Sequence, residues 1–541
     1  AARGENDPLA MARADLQLCL LQLERNGAGS CAESVVRSPV KTLRDSGIPR
    51  LGIEADLVLM RVQRTNGRAA AAARTADRLL NEVTFLQAAL PGVLGAWYWE
   101  NREELLREYL AIKLALVLSG GNESSNGAPM LLALERVRGL EDLDTLRQDT
   151  GGESREQLRA LLARRELAGA KAGVELQRDL EQEMKSVIAA HSSRRPLLER
   201  ERLDELLAGL DRDAMFLSYY FSSGSVYAVV GRRGGVRVIR LPGARDLREQ
   251  LNNLSQLMAV PDGQPVMGAL ERVGSQLVGP ISRQLTAKIF LLAAGPINGL
   301  PFDALRLDGK YLAQDHELIY LRSVDALGRE VPQLDAGGSD SVFLAGDPQT
   351  SQELFSYGVS TSAELAAVRD RFVGPGLHIV QGVALQVDEF TDSRFSQARL
   401  LHLAMPGTAE LANAERSRMT LSHAADETVR TYLLPADVRR FQLAGALAML
   451  SNMQISGSDR SVYGNRLGFT SDLLDTGVGA VVTTLSVADD RDNAAFVGEF
   501  YDRLARSPDV ALALRQTRLA WLNQDDETIF PLWARFQLHI R

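Results

Sequence analysis

The sequence predicts an α/β domain, with a mostly parallel sheet covered by helices on both faces, preceded by an all-α helical domain. Three observations predict this architecture. Apolar residues recur at helical spacing through about the first 200 residues. Beyond the polar stretch 191–196, short apolar runs alternate with helical stretches, which is typical of a sheet with covering helices. Two of these runs, 398–407 and 443–454, are too short for typical helices and end abruptly in small or polar residues, as buried parallel strands do.

The composition is that of an ordinary soluble globular protein. The 541 residues are 45% hydrophobic and 24% charged, which suits two to four domains. A net charge of −8 argues against a nucleic-acid partner, since such binding needs a basic stripe. No stretch has the 18 apolar residues that indicate a membrane span. The N-terminus has neither an initiating Met nor a signal core, so we expect a soluble chain that is cytoplasmic or, if processed, exported or periplasmic.

Both cysteines stand near the N-terminus. Cys19 lies in an apolar helical run, where it could be a buried small hydrophobic residue. A disulfide to Cys31, closing the loop 26–30, is the other reading and would favour an exported protein. No cysteine follows residue 31, so no thiol is available in the predicted sheet.

The first 200 residues predict helices. The helical ranges are 8–26, 53–64, 67–89, 97–118, 130–138 and a long charged stretch at 153–190, with a polar loop before residue 53 and a linker at 119–127. Helix pairs of the tetratricopeptide kind would fit, although no clear repeat period is present. This region is either a partner-binding module or a helical domain that packs on its neighbour.

A second domain, 201–541, begins after the boundary. Its first half, to about residue 340, opens with strands at 214–221, 225–230 and 236–241 joined by hairpin turns. Helices at 247–258 and 268–285 and strands at 288–293 and 317–321 follow. The second half, 341–541, starts with strands 341–346 and 377–380 around a helix at 364–372. In open α/β sheets chemistry takes place where strands end, so we expect a site at Met405-Pro-Gly407 and Ser451-Asn-Met453.

From about residue 203 onward the chain resembles the CHAT domain, a caspase-like peptidase module often attached to tetratricopeptide repeats. The landmarks come in order: Leu203–Leu210 before a hairpin ending at Pro242, Leu300-Pro-Phe-Asp-Ala-Leu305 with Gly309-Lys-Tyr-Leu312, Phe343–Pro348, and Val478–Asp490 with Phe500-Tyr501. The resemblance implies a caspase-like α/β fold.

The resemblance also implies where a catalytic His–Cys dyad would stand. The family patterns "L-H-x-A-T-H-G" and "L-S-A-C-x-T", placed on Leu401–Gly407 and Leu450–Ile455, put Pro406 at the histidine and Met453 at the cysteine. Cysteine-peptidase chemistry needs a thiolate and a base. A thioether cannot ionise and proline has no side-chain proton to exchange, so the sequence predicts that the domain has no catalytic residues.

The predicted degenerate site consists of Pro406, Met453, His402, Ser451 and Asn452, and His402 and His423 are weighed as residues that could restore activity. His402 matches the family's first, non-catalytic histidine and is expected to be a core residue with a satisfied hydrogen bond. Ser451 and Asn452 could line a polar pocket, but a serine nucleophile needs a positioned base. His423, in a predicted loop, could approach the cleft.

Other chemistry has little support in the sequence. The patterns of zinc peptidases, nucleotide-binding loops and serine hydrolases are absent, so no metal or cofactor is expected. The acidic run Asp489-Asp490-Arg491-Asp492 could bind a cation, but at the start of a helix it is more simply an N-terminal cap.

These observations lead to one functional hypothesis and two alternatives. The hypothesis is a catalytically inactive caspase-like protein that acts as a scaffold or regulatory subunit and binds a protein partner, either an active paralogue or a peptide segment held in the cleft. The alternatives are an active hydrolase that uses displaced residues and a purely structural assembly component.

Overall fold

A computed structural model describes the chain. The described residues are 7–89, 95–118, 123–124, 126–145, 198–222, 224–259, 266–334, 341–349, 361–372, 376–411, 416–422, 431–440, 442–443, 445–456, 467–486, 490–522 and 530–541. The chain divides into two compact units, Ala1–Arg200 and Glu201–Arg541. The predicted helical stretch 153–190 and the boundary 191–196 lie outside the described residues.

The first unit consists of helices in its described part, apart from the two-residue strand β1 (Glu123–Ser124). The helices are α1 (Pro8–Asn26), α2 (Glu33–Arg44), α3 (Pro49–Thr65), α4 (Ala69–Ala89), α5 (Gly95–Val117) and α6 (Ala128–Thr145). Each helix packs against the next one along the chain, and α3 also packs against α1 and α5. The all-α prediction for this region is confirmed in the part that the structure describes.

The polar loop predicted before residue 53 is wrong, because α2 forms within it and α3 already begins at Pro49. Pro39 stands inside this helix and argues against it in the sequence, since proline lacks the N–H that a helix interior uses. Three side chains at helical spacing, Val36, Val40 and Leu43, are nevertheless buried against the neighbouring helices. Burial of this stripe outweighs the missing hydrogen bond.

Cys19 and Cys31 form a disulfide in the structure. It joins the middle of α1 to the turn before α2, and both residues are 2% exposed. The pair therefore satisfies both sequence readings, because the sulfurs are oxidised and also lie in the hydrophobic core of the first unit.

The second unit contains a large mixed sheet. Its strands are β2 (Ala214–Phe221), β3 (Val226–Arg232), β4 (Gly235–Leu241), β5 (Lys288–Leu292), β8 (Glu317–Leu321), β9 (Val342–Gly346), β10 (Leu377–Gln381), β11 (Leu400–Glu410), β12 (Arg418–Thr420), β13 (Tyr432–Leu433), β14 (Leu447–Ser456), β15 (Ala480–Thr484) and β16 (Phe536–Ile540). The strands β6 (Arg306–Leu307) and β7 (Lys310–Tyr311) form a separate small hairpin.

The helices of the second unit alternate with these strands. They are α7 (Arg200–Gly209), α8 (Ala244–Ala259), α9 (Met267–Leu277), α10 (Leu312–Asp315), α11 (Ser362–Arg369), α12 (Ser393–Gln397), α13 (Pro435–Val438), α14 (Phe469–Thr476), α15 (Asp490–Arg506) and α16 (Val510–Trp521). The single helix predicted at 268–285 is wrong in its second half, where α9 ends at Leu277 and a 3-10 turn, Gly279–Gln284, follows. Pro280 explains the break, since it cannot donate the helical hydrogen bond.

The sheet order places the two predicted site strands next to each other, where the sheet branches towards its far end. The strands run β4-β3-β2-β5-β8-β16-β15-β14-β11, and β11 then pairs with β9 along its first half and with β12 along its second. Pairings from β2 through β5 to β8 and from β15 through β14, β11 and β9 to β10 are parallel. Helix α14 covers one face of this region and α15 the other, as the contacts below show. The predicted fold class is confirmed.

A buried ion pair joins the Leu300–Leu305 landmark to α16. Asp303 is fully buried and accepts a hydrogen bond of 2.6 Å from Arg518 of α16. Its other oxygen accepts a bond of 3.0 Å from the Tyr320 hydroxyl in β8. Burial raises the pKa of Asp303, while the charge of Arg518 opposes that shift. The pair therefore attaches α16 to the sheet, and losing either partner would leave a buried charge without compensation, which is strongly destabilising.

Candidate functional site

The two runs predicted to carry the site form adjacent parallel strands. Leu400 to Ala404 of β11 pair with Leu447 to Ser451 of β14, residue by residue. The register then shifts, and Gly407 pairs with Met453. The structure thus brings the two segments together side by side, as expected from the topology.

The predicted strand ends are wrong. β11 continues to Glu410 and β14 to Ser456, so Pro406 and Met453 lie within strands rather than at exposed ends. Neighbouring strands explain the extension, because β12 pairs with Gly407 and Thr408. Leu485, just after β15, accepts a hydrogen bond from the Ile455 amide. These partners come from distant parts of the sequence and leave no local signal.

The register shift is a bulge built around Asn452 and Pro406. Two residues of β11, Met405 and Pro406, stand opposite the single residue Asn452. Asn452 has a φ of 66°, the left-handed region that asparagine tolerates better than most side chains. Proline suits the bulge because it has no N–H to offer to a strand ladder. Thr484 of β15 stabilises the distortion, since its hydroxyl accepts from the Met453 amide at 2.7 Å.

The Met453 side chain fills the position expected for a nucleophile with hydrocarbon and thioether. Met453 is 2% exposed and belongs to the hydrophobic core that includes Leu403, Met405 and Phe469 of α14. Its sulfur lies directly over Gly407, so close that a side-chain carbon at Gly407 would stand 2.5 Å from it. Pro406 is also buried. Neither residue offers a group that can ionise, and neither reaches the surface.

His402 lies on the other face of β11. Leu401 and Leu403, which alternate with it, belong to the same core as Met453, so the imidazole and the thioether point to opposite faces. His402 is fully buried, with Nδ1 2.9 Å from the hydroxyl of Tyr501 in α15. Its Nε2 lies 3.1 Å from Glu364 Oε1, although the two groups lack the alignment of a hydrogen bond.

Glu364 is the central residue of a buried polar cluster that sequence reasoning missed. This residue of α11 is fully buried. Its Oε2 accepts from the Asn493 amide at 3.1 Å and from the Asn452 amide at 3.4 Å. We call Glu364, His402, Asn452, Asn493 and Tyr501 the Glu364 cluster. A lone glutamate near the start of a helix carries no signal that distinguishes it from a solvent-exposed one.

The electrostatics of the Glu364 cluster follow from burial. Burial raises the pKa of Tyr501 well above its ordinary value, and the nearby Glu364 charge adds to the shift. The phenol is therefore neutral, and its contact with His402 is a hydrogen bond rather than an ion pair. Oxygen atoms of Glu364, Asn452 and Asn493 in this cluster lack a hydrogen-bond partner in the described part of the chain. The cluster links α11 and α15 to Asn452 of β14, the residue opposite the bulge on β11.

Asp490 serves two helices. It lies with Asp492 in the first turn of α15, as the predicted placement of acidic residues at this helix start requires. Its carboxylate also accepts a hydrogen bond of 3.2 Å from the Ala363 backbone amide in the first turn of α11. Burial raises the pKa of Asp490, and the charges of Glu364 and Asp347 act in the same direction. Asp489 lies outside the described residues. Within the described ranges, no group of three or more His, Cys, Asp or Glu residues is placed to hold a metal ion.

The remaining predicted site residues do not form a reactive group. Ser451 is fully buried and pairs with Ala404, and its hydroxyl has no hydrogen-bond partner among the described residues. No imidazole contact to it is present in that part of the chain. His423 lies outside the described residues.

Helices long and apolar enough to cross a bilayer are absent from the part of the chain that the structure describes.

The described strands and helices form an α/β domain around two adjacent parallel strands, preceded by an all-α region. The family model of the CHAT domain matches residues 251–540, more than half of the chain. The chain belongs to the CHAT domain family. No curated protein matches it.

Two solved structures illustrate its similarity to larger proteins. Both are crystal structures of the Saccharomyces cerevisiae separase–securin complex, at 3.0 and 2.6 Å resolution. Each has 10% sequence identity and a TM-score of 0.41, and covers 98% of this chain. The chain spans only 49% and 50% of the matched chains.

Proposed function

We propose that this chain is a catalytically inactive member of the CHAT domain family that binds a protein partner as a scaffold or regulatory subunit. One observation carries the proposal. At the position where the family's motif has its cysteine, the chain has Met453, buried in the core with its thioether over Gly407. The two strands pair side by side, and the side chain at this position packs in a hydrophobic core.

Chemistry supports inactivity at this position. A cysteine peptidase needs a thiolate as nucleophile and a neighbouring base to form it. Removing either member of such a unit removes most of the rate enhancement. Here Pro406 and Met453 stand at both positions, and the two cysteines are joined in a disulfide of the other compact unit.

The burial and orientation of His402 argue against catalysis by displaced residues. Its imidazole is fully buried, and it faces Glu364 and Tyr501 on the side of the sheet opposite Met453. A general base must come within hydrogen-bond reach of a substrate or nucleophile. A substrate could reach His402 only if α11 and α15 separated from the sheet.

The sheet also offers a means of binding without cleavage. β10 pairs with β9 on one side and, among the described residues, has no strand on the other. An exposed strand edge can take up an extended peptide through main-chain hydrogen bonds. A segment of a partner protein, including an active relative, would suit this mode. A purely structural assembly role would leave this edge without a ligand.

The experiment is a cleavage assay with a mixed library of unstructured peptides, followed by mass spectrometry. We expect the purified chain to yield no cleavage above a buffer control. An active CHAT-family peptidase in parallel shows that the library is competent. Cleavage that persists through purification and disappears in His402→Ala or His423→Ala would overturn the proposal and establish the displaced-residue alternative.

Partner binding is tested separately. We expect immobilised full-length chain to retain extended peptides from the same library, and an Ile379→Pro change in β10 to reduce retention, since proline disturbs the edge strand. The variant Val383→Pro, in the turn after β10, is the matched control. Retention that is absent in the wild type, or equal in both variants, would contradict binding at this edge.

A further inference from the structure

In the described part of the chain, exposed large hydrophobic side chains are concentrated in the first 48 residues. Five of the six lie there, three of them in α1, and Val383 is the sixth. The five are Met11, Leu18, Leu21, Val35 and Ile48. Soluble proteins seldom concentrate exposed apolar side chains in this way unless the surface binds something.

Helix α1 carries two apolar stripes. The inner one, Ala12, Leu16, Cys19 and Leu23, is buried in the core of the first unit. The outer one consists of Met11, Ala14, Leu18 and Leu21, and all four are exposed. We call these four residues the outer seam. Their spacing of three, four and three residues is the one that lets a helix pack along another helix.

Opposite charges mark the two ends of the outer seam. Asp7 stands four residues before Met11, and Arg25 stands four residues after Leu21, so both lie in line with the seam. Both residues are exposed. Asp7 caps α1 through Oδ1 alone, which accepts from the Leu9 and Ala10 amides at 2.9 and 3.3 Å. Its second oxygen is not used by these capping bonds.

We propose that the outer seam binds the same seam of a second copy of this chain, with the two α1 helices antiparallel about a two-fold axis. In this arrangement Met11 of one copy packs against Leu21 of the other, and Ala14 against Leu18. Arg25 of each copy then faces Asp7 of the other at both ends. A parallel pair would instead place like charges together, which is unfavourable.

The charge pattern is what favours a second copy over another helix. Two-fold symmetry requires a surface that complements itself, and a seam with an acid at one end and a base at the other does so only when antiparallel. From Asp7 to Arg25 the seam is about 27 Å long at the rise of an α-helix. Interfaces of standard size have dissociation constants from picomolar to micromolar, so this smaller one is expected to dissociate at about micromolar concentration or above. The inference does not depend on the proposed inactivity of the sheet domain.

The test is the oligomeric state of the full-length chain, measured by sedimentation equilibrium from about 1 to 100 µM, a range chosen to bracket the expected affinity. We expect a reversible monomer–dimer equilibrium in the wild type. Leu18→Glu should be monomeric throughout, because it places a charge in the seam. Val383→Glu, at an exposed hydrophobic residue of the other unit, should dimerise like the wild type. Circular dichroism confirms that each variant is folded, and Leu21→Gln replaces Leu18→Glu if that variant is not.

Charge exchange tests the antiparallel geometry. Arg25→Glu alone and Asp7→Lys alone should each weaken the dimer about tenfold, because each creates two repulsive pairs. An equimolar mixture of the two variants should regain dimerisation, since every end then pairs opposite charges. A wild type that stays monomeric, a Leu18→Glu variant that still dimerises, or a mixture that regains nothing would each overturn the proposal.

Discussion

Gly407→Ala tests whether Met453 occupies the centre of the strand pair as described. The new Cβ would lie 2.5 Å from the Met453 sulfur, 3.1 Å from its methyl carbon and 3.0 Å from the carbonyl oxygen of Arg418. The thioether would therefore have to move inside a packed core, and β12 could give way only slightly. Overpacking of this kind costs about 1–3 kcal/mol, so we expect the free energy of unfolding to fall by about 2 kcal/mol.

A second substitution separates this clash from a general effect on the strand. Met453→Ala alone should cost about 2–5 kcal/mol, because it leaves a cavity at a buried position. The double variant should lose less unfolding free energy than the sum of the two single losses, by at least about 1 kcal/mol. The reason is that the alanine methyl group at 407 then occupies space that the thioether left. Contact between the two residues is what makes their effects non-additive.

Urea unfolding followed by circular dichroism gives the free energies, and hydrogen exchange of β11 and β14 assigns the transition to the second unit. The matched control is Gly445→Ala, just before β14, where the nearest atom to an added Cβ is 3.4 Å away. That variant should change stability by less than about 0.5 kcal/mol. A neutral Gly407→Ala, or strictly additive losses in the double variant, would show that Met453 does not lie over Gly407.

Two further predictions concern the disulfide and pH. Replacing Cys19 and Cys31 by alanine should lower the free energy of unfolding of the first unit by about 2–3 kcal/mol. Dithiothreitol should destabilise the wild type but not the variant. Equal sensitivity of both proteins to the reductant would contradict this prediction. Burial lowers the pKa of His539 from 6.5 to about 3, so the unfolded chain takes up a proton first as the pH falls. The free energy of unfolding should then decrease progressively below about pH 6.5, by about 1–2 kcal/mol at pH 5. Urea titrations at several pH values should show a smaller decrease for His539→Gln. An unchanged pH dependence in the variant would exclude His539 as the source.

Several features of the fold could be read from local sequence alone. The predicted helix at 8–26 coincides with α1, because its apolar period, the acid before it and Gly27 after it are all local signals. The apolar runs of β11 and β14 were recognised in the same way. The lack of a thiol in the sheet domain is a matter of composition, which no packing can change.

Other features depended on partners far away in the sequence. The predicted ends of β11 and β14 were wrong because β12, Thr484 and Leu485 extend and distort these strands. Helix α2 was missed because Pro39 opposes it locally while burial of its apolar stripe favours it. The local sequence pattern indicates only the intrinsic preference of a segment for helix or strand. Tertiary contacts override that preference where a residue distant in the sequence supplies the hydrogen bond or buries the apolar side chains.

The sequence by itself determined that Pro406 and Met453, rather than a base and a thiol, stand in two apolar runs that predict buried strands. Only the tertiary structure decided what surrounds them. It turned His402 towards Glu364 and Tyr501, placed Met453 over Gly407 on the opposite face, and left the outer seam of α1 uncovered. The physical reason is that residue identity limits which chemistry is possible, whereas the direction of a side chain and its neighbours are set by strand register and helix packing between distant segments.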